Sequence, residues 1–280
     1  MRSFITKRAL AAAVALGLLV ASVSYAEILK LDGTPDPAWQ SNAMLLWLKA
    51  DAGVTKDDNS NKVSRWADQS TYGQHAGQST ASYQPTYSAT GLNGHDAILW
   101  DGVARYYMSI ETGPTLHQTL LIVYKDTSTA EYVTPLGTLY DFGGSYHGYN
   151  DHSQLFHHQF TDDRTLAGKN YRDGLDIGEG LLTGRPDSWA LDVHVATGPL
   201  QQTVTVVGAD DVTDRYIVGG IAEIILYNRA LTGGEINEVG YYLEQKYGLV
   251  TTYYIPEPAS IVLLALGALV GVVLLRRRRG

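Results

Sequence analysis

Ile221-Ala222-Glu223-Ile224-Ile225-Leu226-Tyr227-Asn228-Arg229-Ala230-Leu231-Thr232-Gly233-Gly234-Glu235 is the stretch that decides the fold. Its first seven residues are apolar or β-branched apart from Glu223, which is the composition of a strand. Glu223, followed by Ile224, Ile225 and Leu226, reads as an edge or outward-facing strand residue. Thr232-Gly233-Gly234-Glu235 is a capping box, in which Thr232 accepts from the first helical turn and Glu235 reaches back. Ile236, Val239, Leu243 and Tyr247 then recur at three- and four-residue steps as one apolar stripe, and Gly248 supplies the stop. The spacing predicts one short α-helix between Thr232 and Gly248, packed on the edge of a sheet.

Outward from this stretch the chain is β-type. Met44-Leu45-Leu46-Trp47-Leu48, Ala97-Ile98-Leu99-Trp100, Leu120 to Tyr124, Trp189 to Val195 and Val204 to Val207 read as further strands. Turn chemistry separates them, as at Asp57-Asp58-Asn59-Ser60-Asn61 and Gly91-Leu92-Asn93-Gly94. Many short strands with one helix indicate an all-β protein, a two-sheet antiparallel jelly-roll sandwich. Neither an internal repeat nor a low-complexity tract interrupts it.

The two ends are of a different kind. Arg2, Lys7 and Arg8 precede an apolar run from Ala9 to about Val23, which breaks at Ser24-Tyr25-Ala26. A basic start, a short apolar centre and a small-x-small exit make a secretory signal, with removal expected after Ala26 by signal peptidase once the translocon has engaged it. At the other end Pro256-Glu257-Pro258 precedes an apolar run, Ile261 to Leu275, and then Arg276-Arg277-Arg278-Arg279-Gly280. With Ala259 and Ser260 the run reaches the lower edge of the roughly 17–25 residues that span a bilayer. Four arginines after it would stay on the cytoplasmic side, leaving the body outside. The expected divisions are a signal peptide at 1–26, a lead-in at 27–42, one sandwich domain at 43–249, and a sorting segment at 250–280 with a transmembrane helix at 259–275.

Pro-Glu-Pro, a short apolar span and a terminal arginine cluster resemble the PEP-CTERM sorting signal of Gram-negative bacteria. The resemblance implies recognition by a membrane-embedded exosortase, anchoring in the inner membrane before processing near the tripeptide, and transfer to the cell surface or extracellular matrix. Such proteins are associated with exopolysaccharide and biofilm matrix.

Cysteine is absent, so an exported body must be held by packing alone. Seven of the 21 basic residues lie in the two end segments, and setting them aside leaves 14 basic against 29 acidic residues, a net of −15. That charge repels nucleic acid and anionic lipid, and tolerates cations, calcium in particular. The 19 tyrosines, against four phenylalanines, suit half-exposed strand faces and sugar stacking alike.

The body resembles the laminin-G-like, concanavalin-A-type jelly-roll domains of bacterial surface proteins. The blocks that carry this are Leu46-Trp47-Leu48-Lys49-Ala50-Asp51, Trp66-Ala67-Asp68-Gln69-Ser70, Gln84-Pro85-Thr86-Tyr87, Gly91-Leu92-Asn93-Gly94, Trp100-Asp101-Gly102, and Ile221 to Leu231 with the helix after it. They bracket Ala43 to Leu249, with a loosely matching middle at about 126–185. The resemblance implies a two-sheet sandwich and often ligand binding, without fixing a ligand. Trp66, Asp68 and Ser70 read as structural, an indole in the core and an Asp-Ser turn.

Catalytic patterns are missing. None of the nine glutamates lies in the Glu-x-Asp-x-Glu strand that places alternate carboxylates beside a glycosidic bond. Gly143-Gly144-Ser145-Tyr146-His147 lacks the last glycine of a nucleophile elbow. His147, His152, His157 and His158 cluster without a compact ligand spacing. Asp57, Asn59 and Asn61 offer oxygens at alternate positions for calcium, although Lys62 stands where an EF-hand loop has glycine. For sugar binding the richest stretch is 140–151, where Tyr140, Asp141, Tyr146, His147, Tyr149 and Asp151 combine stacking faces with hydroxyl-bonding groups. The sequence thus points to a non-catalytic surface or matrix protein, a polysaccharide-binding or adhesive module that requires no cofactor and has calcium as its candidate ion. Two alternatives are a polysaccharide-acting hydrolase or lyase using acids in the loose middle, and a purely structural matrix protein.

Overall fold

The computed structural model describes residues 43–101, 107–110, 113, 116–128, 136–137, 154–156, 161–179, 183–201, 206–209 and 216–254. In chain order the strands are β1 (Met44–Lys49), β2 (Val54–Lys56), β3 (Val63–Trp66), β4 (Ala76–Gly77), β5 (Thr86–Leu92), β6 (His95–Asp101), β7 (Met108–Ile110), β8 (His117–Asp126), β9 (Leu136–Gly137), β10 (Lys169–Arg172), β11 (Leu175–Asp176), β12 (Ala190–Leu200), β13 (Val206–Val207) and β14 (Val218–Tyr227). Among the described residues two α-helices accompany them, the single turn α1 (Asp163–Leu166) and α2 (Gly233–Tyr247).

These strands form two antiparallel sheets, as the alternation of short apolar runs and turns predicts. The larger runs β11-β10-β12-β8-β14-β6-β5, with β1 paired to the C-terminal half of β14, and the smaller runs β2-β3-β4-β7-β13-β9. Side chains alternate across each strand. One face of the larger sheet, with Leu46, Leu48, Ile98, Ile122, Ile224 and Leu226, meets Val63, Trp66, Met108, Ile110 and Val207 of the smaller sheet. Trp66 is fully buried between the sheets, as its motif suggests. The β5–β6 hairpin turns at Asn93-Gly94, whose φ values of 50° and 86° are the positive pair that a tight two-residue hairpin turn needs.

The predicted helix is present with its cap. Glu235 N–H donates to Thr232 Oγ1 (3.3 Å), Thr232 N–H donates to Glu235 Oε2 (2.7 Å), and Gly248 ends it at φ 60°. Its position differs from the expectation. α2 lies on the outer face of the larger sheet rather than at an edge, its stripe of Ile236, Val239, Leu243 and Tyr247 joining Trp47, Leu121, Val193, Ile225 and Tyr227 in a second core. The protein therefore has three layers: helix, large sheet, small sheet.

Glu223 is also corrected. The β14–β8 register slips between Ile221 and Glu223, a bulge at Ala222. Ala222 belongs to the helix-side core, and Glu223, the next residue, also points there, since a bulge breaks the alternation. The carboxylate is 1 % exposed. It accepts from Trp47 Nε1 (2.6 Å), Lys246 Nζ (2.6 Å) and the Tyr247 hydroxyl (2.7 Å), so it fastens α2 to β1 and β14.

After α2 the chain is strapped back onto the body. Thr252 N–H donates to the Asp173 carbonyl (2.8 Å), Tyr254 N–H donates to Asn237 Oδ1 (3.1 Å), and Thr251 bonds Glu244. Tyr253 is buried against Gly240 in the middle of α2, where even a β-carbon would come within 2.5 Å of its ring. No helix among the described residues is long and apolar enough to cross a membrane, and the run at 259–275 lies outside them.

Candidate functional site

The outer face of the smaller sheet carries a cleft of about 720 Å³. Strand pairing builds its floor. Arg65 of β3 is opposite Gly77 of β4, and Gly77 is opposite Ser109 of β7. Two small residues between larger ones leave a trough. A bulge in β3 contributes, since the β2–β3 register slips beside Ser64. Val63 and Trp66 both reach the core while Ser64 and Arg65 stay outside.

The walls come from the segment after β3 and from Tyr107. Asp68 organises the first wall. Its carboxylate accepts from Trp47 N–H (2.8 Å), Ser70 N–H (2.9 Å), the Ser70 hydroxyl (2.6 Å) and Gln74 N–H (2.8 Å). Asp68 N–H donates to His75 Nδ1 (3.0 Å), so the imidazole keeps Nε2 as its N–H donor. Gln78 closes the next part: its amide donates to the Tyr107 carbonyl (3.0 Å) and its side-chain oxygen accepts from Thr80 N–H (3.1 Å). Gln84 in turn donates to the Gln78 carbonyl (2.8 Å). Tyr83 and Tyr107 complete the lining. Gln74 Oε1 is buried without a hydrogen-bond partner among the described residues. Among the described residues the lining holds hydroxyls, amides, one imidazole, two phenols and one guanidinium, and no carboxylate.

Carboxylates are found elsewhere, and those buried in the larger sheet are occupied. Asp192 on β12 takes two bonds of 2.7 Å from Arg172 and one of 3.0 Å from the Tyr124 hydroxyl. Burial pulls Arg172 down, but its bonds to Asp192 outweigh that and hold it above its ordinary value. Burial, reinforced by Asp192, pushes Tyr124 well up. Asp126 accepts from Arg185 (3.1 Å) and from Ser128. Both aspartates are wholly buried and on the inner face of the larger sheet, beside His194, whose Nδ1 is 2.9 Å from Asn170 Oδ1. Burial lowers His194 and His117 to about 4. These groups went unread in the sequence, although Asp192 and His194 alternate with Leu191, Val193 and Val195, a period-two pattern that places them on one face. Buried charges paired in this way neutralise one another and fix strand register.

At the calcium candidate, Asp57 Oδ1 accepts from Asn59 N–H (3.1 Å), Ser60 N–H (2.7 Å) and the Ser60 hydroxyl (2.8 Å), which holds its carboxyl below the usual range. Asn61 Oδ1 accepts from Lys56 Nζ (3.0 Å). The turn is closed by its own donors, and an ammonium sits where a cation would bind. Among the described residues no group of three or more His, Asp or Glu is placed to hold a metal ion. Tyr140, Asp141, Tyr146, His147, Tyr149 and Asp151 lie outside the described residues, as do Ser24, Ala26, Pro256, Glu257, Pro258 and Arg276 to Arg279.

Comparison with known proteins locates one motif. The PEP-CTERM protein-sorting motif matches residues 255–279, which marks the chain as exported and sorted to the cell surface by an exosortase. No curated protein matches the chain by sequence. Among solved structures, the Trypanosoma rangeli sialidase in complex with the inhibitor DANA matches with a TM-score of 0.41 and 16% identity over 75% of this chain and 34% of that one. The same sialidase in complex with sialic acid matches at 0.37 and 15%, with the same coverage. The chain thus spans about a third of the length of these sialidases.

Proposed function

We propose that the exported body is a non-catalytic carbohydrate-binding module of the laminin-G-like sandwich type, acting in exopolysaccharide or adhesive matrix. The observation that carries this reading is the lining of the cleft on the smaller sheet. It presents hydroxyl-bonding amides and serines between two tyrosines, over a floor of small residues. Sugar recognition needs these elements: flat aromatic faces and hydrogen-bonding groups held in place beforehand. Glycoside hydrolysis needs two carboxylates, about 5–9.5 Å apart, flanking the bond. Among the described residues the cleft lining has none, and Asp126, Asp192 and Glu223 are each tied to a cation. The segment 140–151 would add a second sugar-contacting surface through Tyr146 and Tyr149. In this reading a secretory signal is removed after Ala26, and the run at 259–275 anchors the chain until the exosortase acts.

The test is binding of the purified protein to the producer's own exopolysaccharide and to a glycan panel, with calcium and then with chelator. Saturable binding reduced at least tenfold by Tyr107→Ala supports the module. Binding that survives Tyr107→Ala but falls with Tyr146→Ala moves the site to the 140–151 segment. Absence of binding in both conditions leaves a structural matrix role.

A further inference from the structure

Five arginines lie among the described residues, and four of them are in ion pairs: Arg164 with Asp162, Arg172 with Asp192, Arg185 with Asp126 and Arg229 with Glu235. The fifth, Arg65, makes no ion pair with any described residue and stands exposed at the cleft. In a body with twice as many acids as bases, an arginine without a carboxylate partner among the described residues is the exception among those five, and its place is the floor of the polar cleft. We infer that the cleft recognises an acidic sugar, a uronate or another carboxylate-bearing residue, with Arg65 as its anion clamp. This rests on the reading of the cleft as a sugar site.

The chemistry fits on several counts. A guanidinium offers paired N–H donors that match the two oxygens of a carboxylate. Beside it, His75 directs no lone pair at the ligand from Nε2, because its Nδ1 is already taken by Asp68 N–H, so Nε2–H adds a second donor. Gln74 Oε1, buried without a partner, is an acceptor for a ring hydroxyl. Gly77 and Ser109 next to Arg65 leave room for the ring itself. Among the described residues no carboxylate lines the cleft to compete for Arg65 or repel the ligand. The overall negative charge of the body sets the limit on ligand type. It repels a dense polyanion at range, so the matching ligand is an isolated acidic residue within an otherwise neutral polymer.

The experiment is ligand-observed NMR titration of the full chain in detergent with methyl β-D-glucuronoside and, separately, methyl β-D-glucoside. One charge-assisted clamp corresponds to roughly a tenfold preference for the glucuronoside. Arg65→Gln should bring the two affinities to parity, and Arg65→Lys should retain part of the preference. Rising salt should shrink the preference, since Arg65 is exposed. Equal binding of both glycosides by the unaltered protein would overturn the acidic selectivity while leaving a sugar site. Binding of neither would overturn the selectivity and the sugar site together. A preference that survives Arg65→Gln would remove Arg65 from the role.

Discussion

Gly240 is a glycine in the middle of a 15-residue helix, and replacing it by alanine sets two effects of opposite sign against each other. On the helix alone, Ala is favoured over Gly by about 1 kcal/mol. Against that, the new β-carbon would be 2.5–2.6 Å from three carbons of the Tyr253 ring. Carbon pairs settle at about 3.5–4.0 Å, so the ring must retreat by about 1 Å. It is not free to do so, because Thr252 and Tyr254 on either side are hydrogen-bonded to Asp173 and Asn237. Overpacking of this kind costs about 1–3 kcal/mol. Gly240→Ala alone should therefore destabilise by about 1 kcal/mol net, the overpacking outweighing the helical gain. Tyr253→Ala removes the obstacle and about 2 kcal/mol of apolar burial with it. In that background Gly240→Ala should stabilise by about 1 kcal/mol, so the sign reverses and the coupling is about 2 kcal/mol. Urea unfolding followed by tryptophan fluorescence measures all four corners of the cycle. Equal stabilisation by Gly240→Ala in both backgrounds would refute the packing of the strap on the helix.

Three further outcomes are expected. Burial holds His117 and His194 near 4 in the folded chain, against an ordinary value near 6.5. Between those values only the unfolded chain takes up the protons, so stability should be intact above pH 6.5 and fall by up to about 1.4 kcal/mol per pH unit per histidine on acidification towards 4. A urea midpoint unchanged from pH 7 to pH 5 would contradict this. Glu223→Gln removes the buried one of the two carboxylates at the Lys246 ammonium, leaving Asp51 at 3.0 Å, and should cost about 2 kcal/mol, part of it recovered by adding Lys246→Met, as a double-mutant cycle by urea unfolding will show. Asp68→Ala strands four donors and should cost about 2–4 kcal/mol by the same assay; a cost under about 1 kcal/mol would return Asp68 to an ordinary turn residue.

The parts of the fold legible beforehand were those whose signal is local. α2 has a cap, a stripe and a stop within 17 residues, 232–248, and all three are in place. The long strands β8, β12 and β14 announce themselves by composition, whereas β4, β9, β11 and β13 have two residues each and no period to detect. The orientation of Glu223 was hidden because one extra residue at Ala222 shifts the alternation, and nothing in the local sequence marks a bulge. The cleft was illegible for a different reason. Arg65, Gly77 and Ser109 become neighbours only through the register of three short strands, which depends on pairing across 44 residues of chain between Arg65 and Ser109. The buried pairs Asp192–Arg172 and Asp126–Arg185 were likewise set by distant partners, although the alternation around Asp192 was available to be read.

The strap that returns the chain onto α2 sets a distance as well as a contact. Tyr254, its last described residue, is followed by only Ile255 before Pro256-Glu257-Pro258, and the apolar run follows directly. Four residues reach at most about 14 Å when fully extended. On the proposal that the run at 259–275 anchors the chain, a body folded through Tyr254 would be held within that distance of the outer membrane surface. The tripeptide would then be presented to the exosortase at the membrane itself, with Tyr253 still packed on the helix.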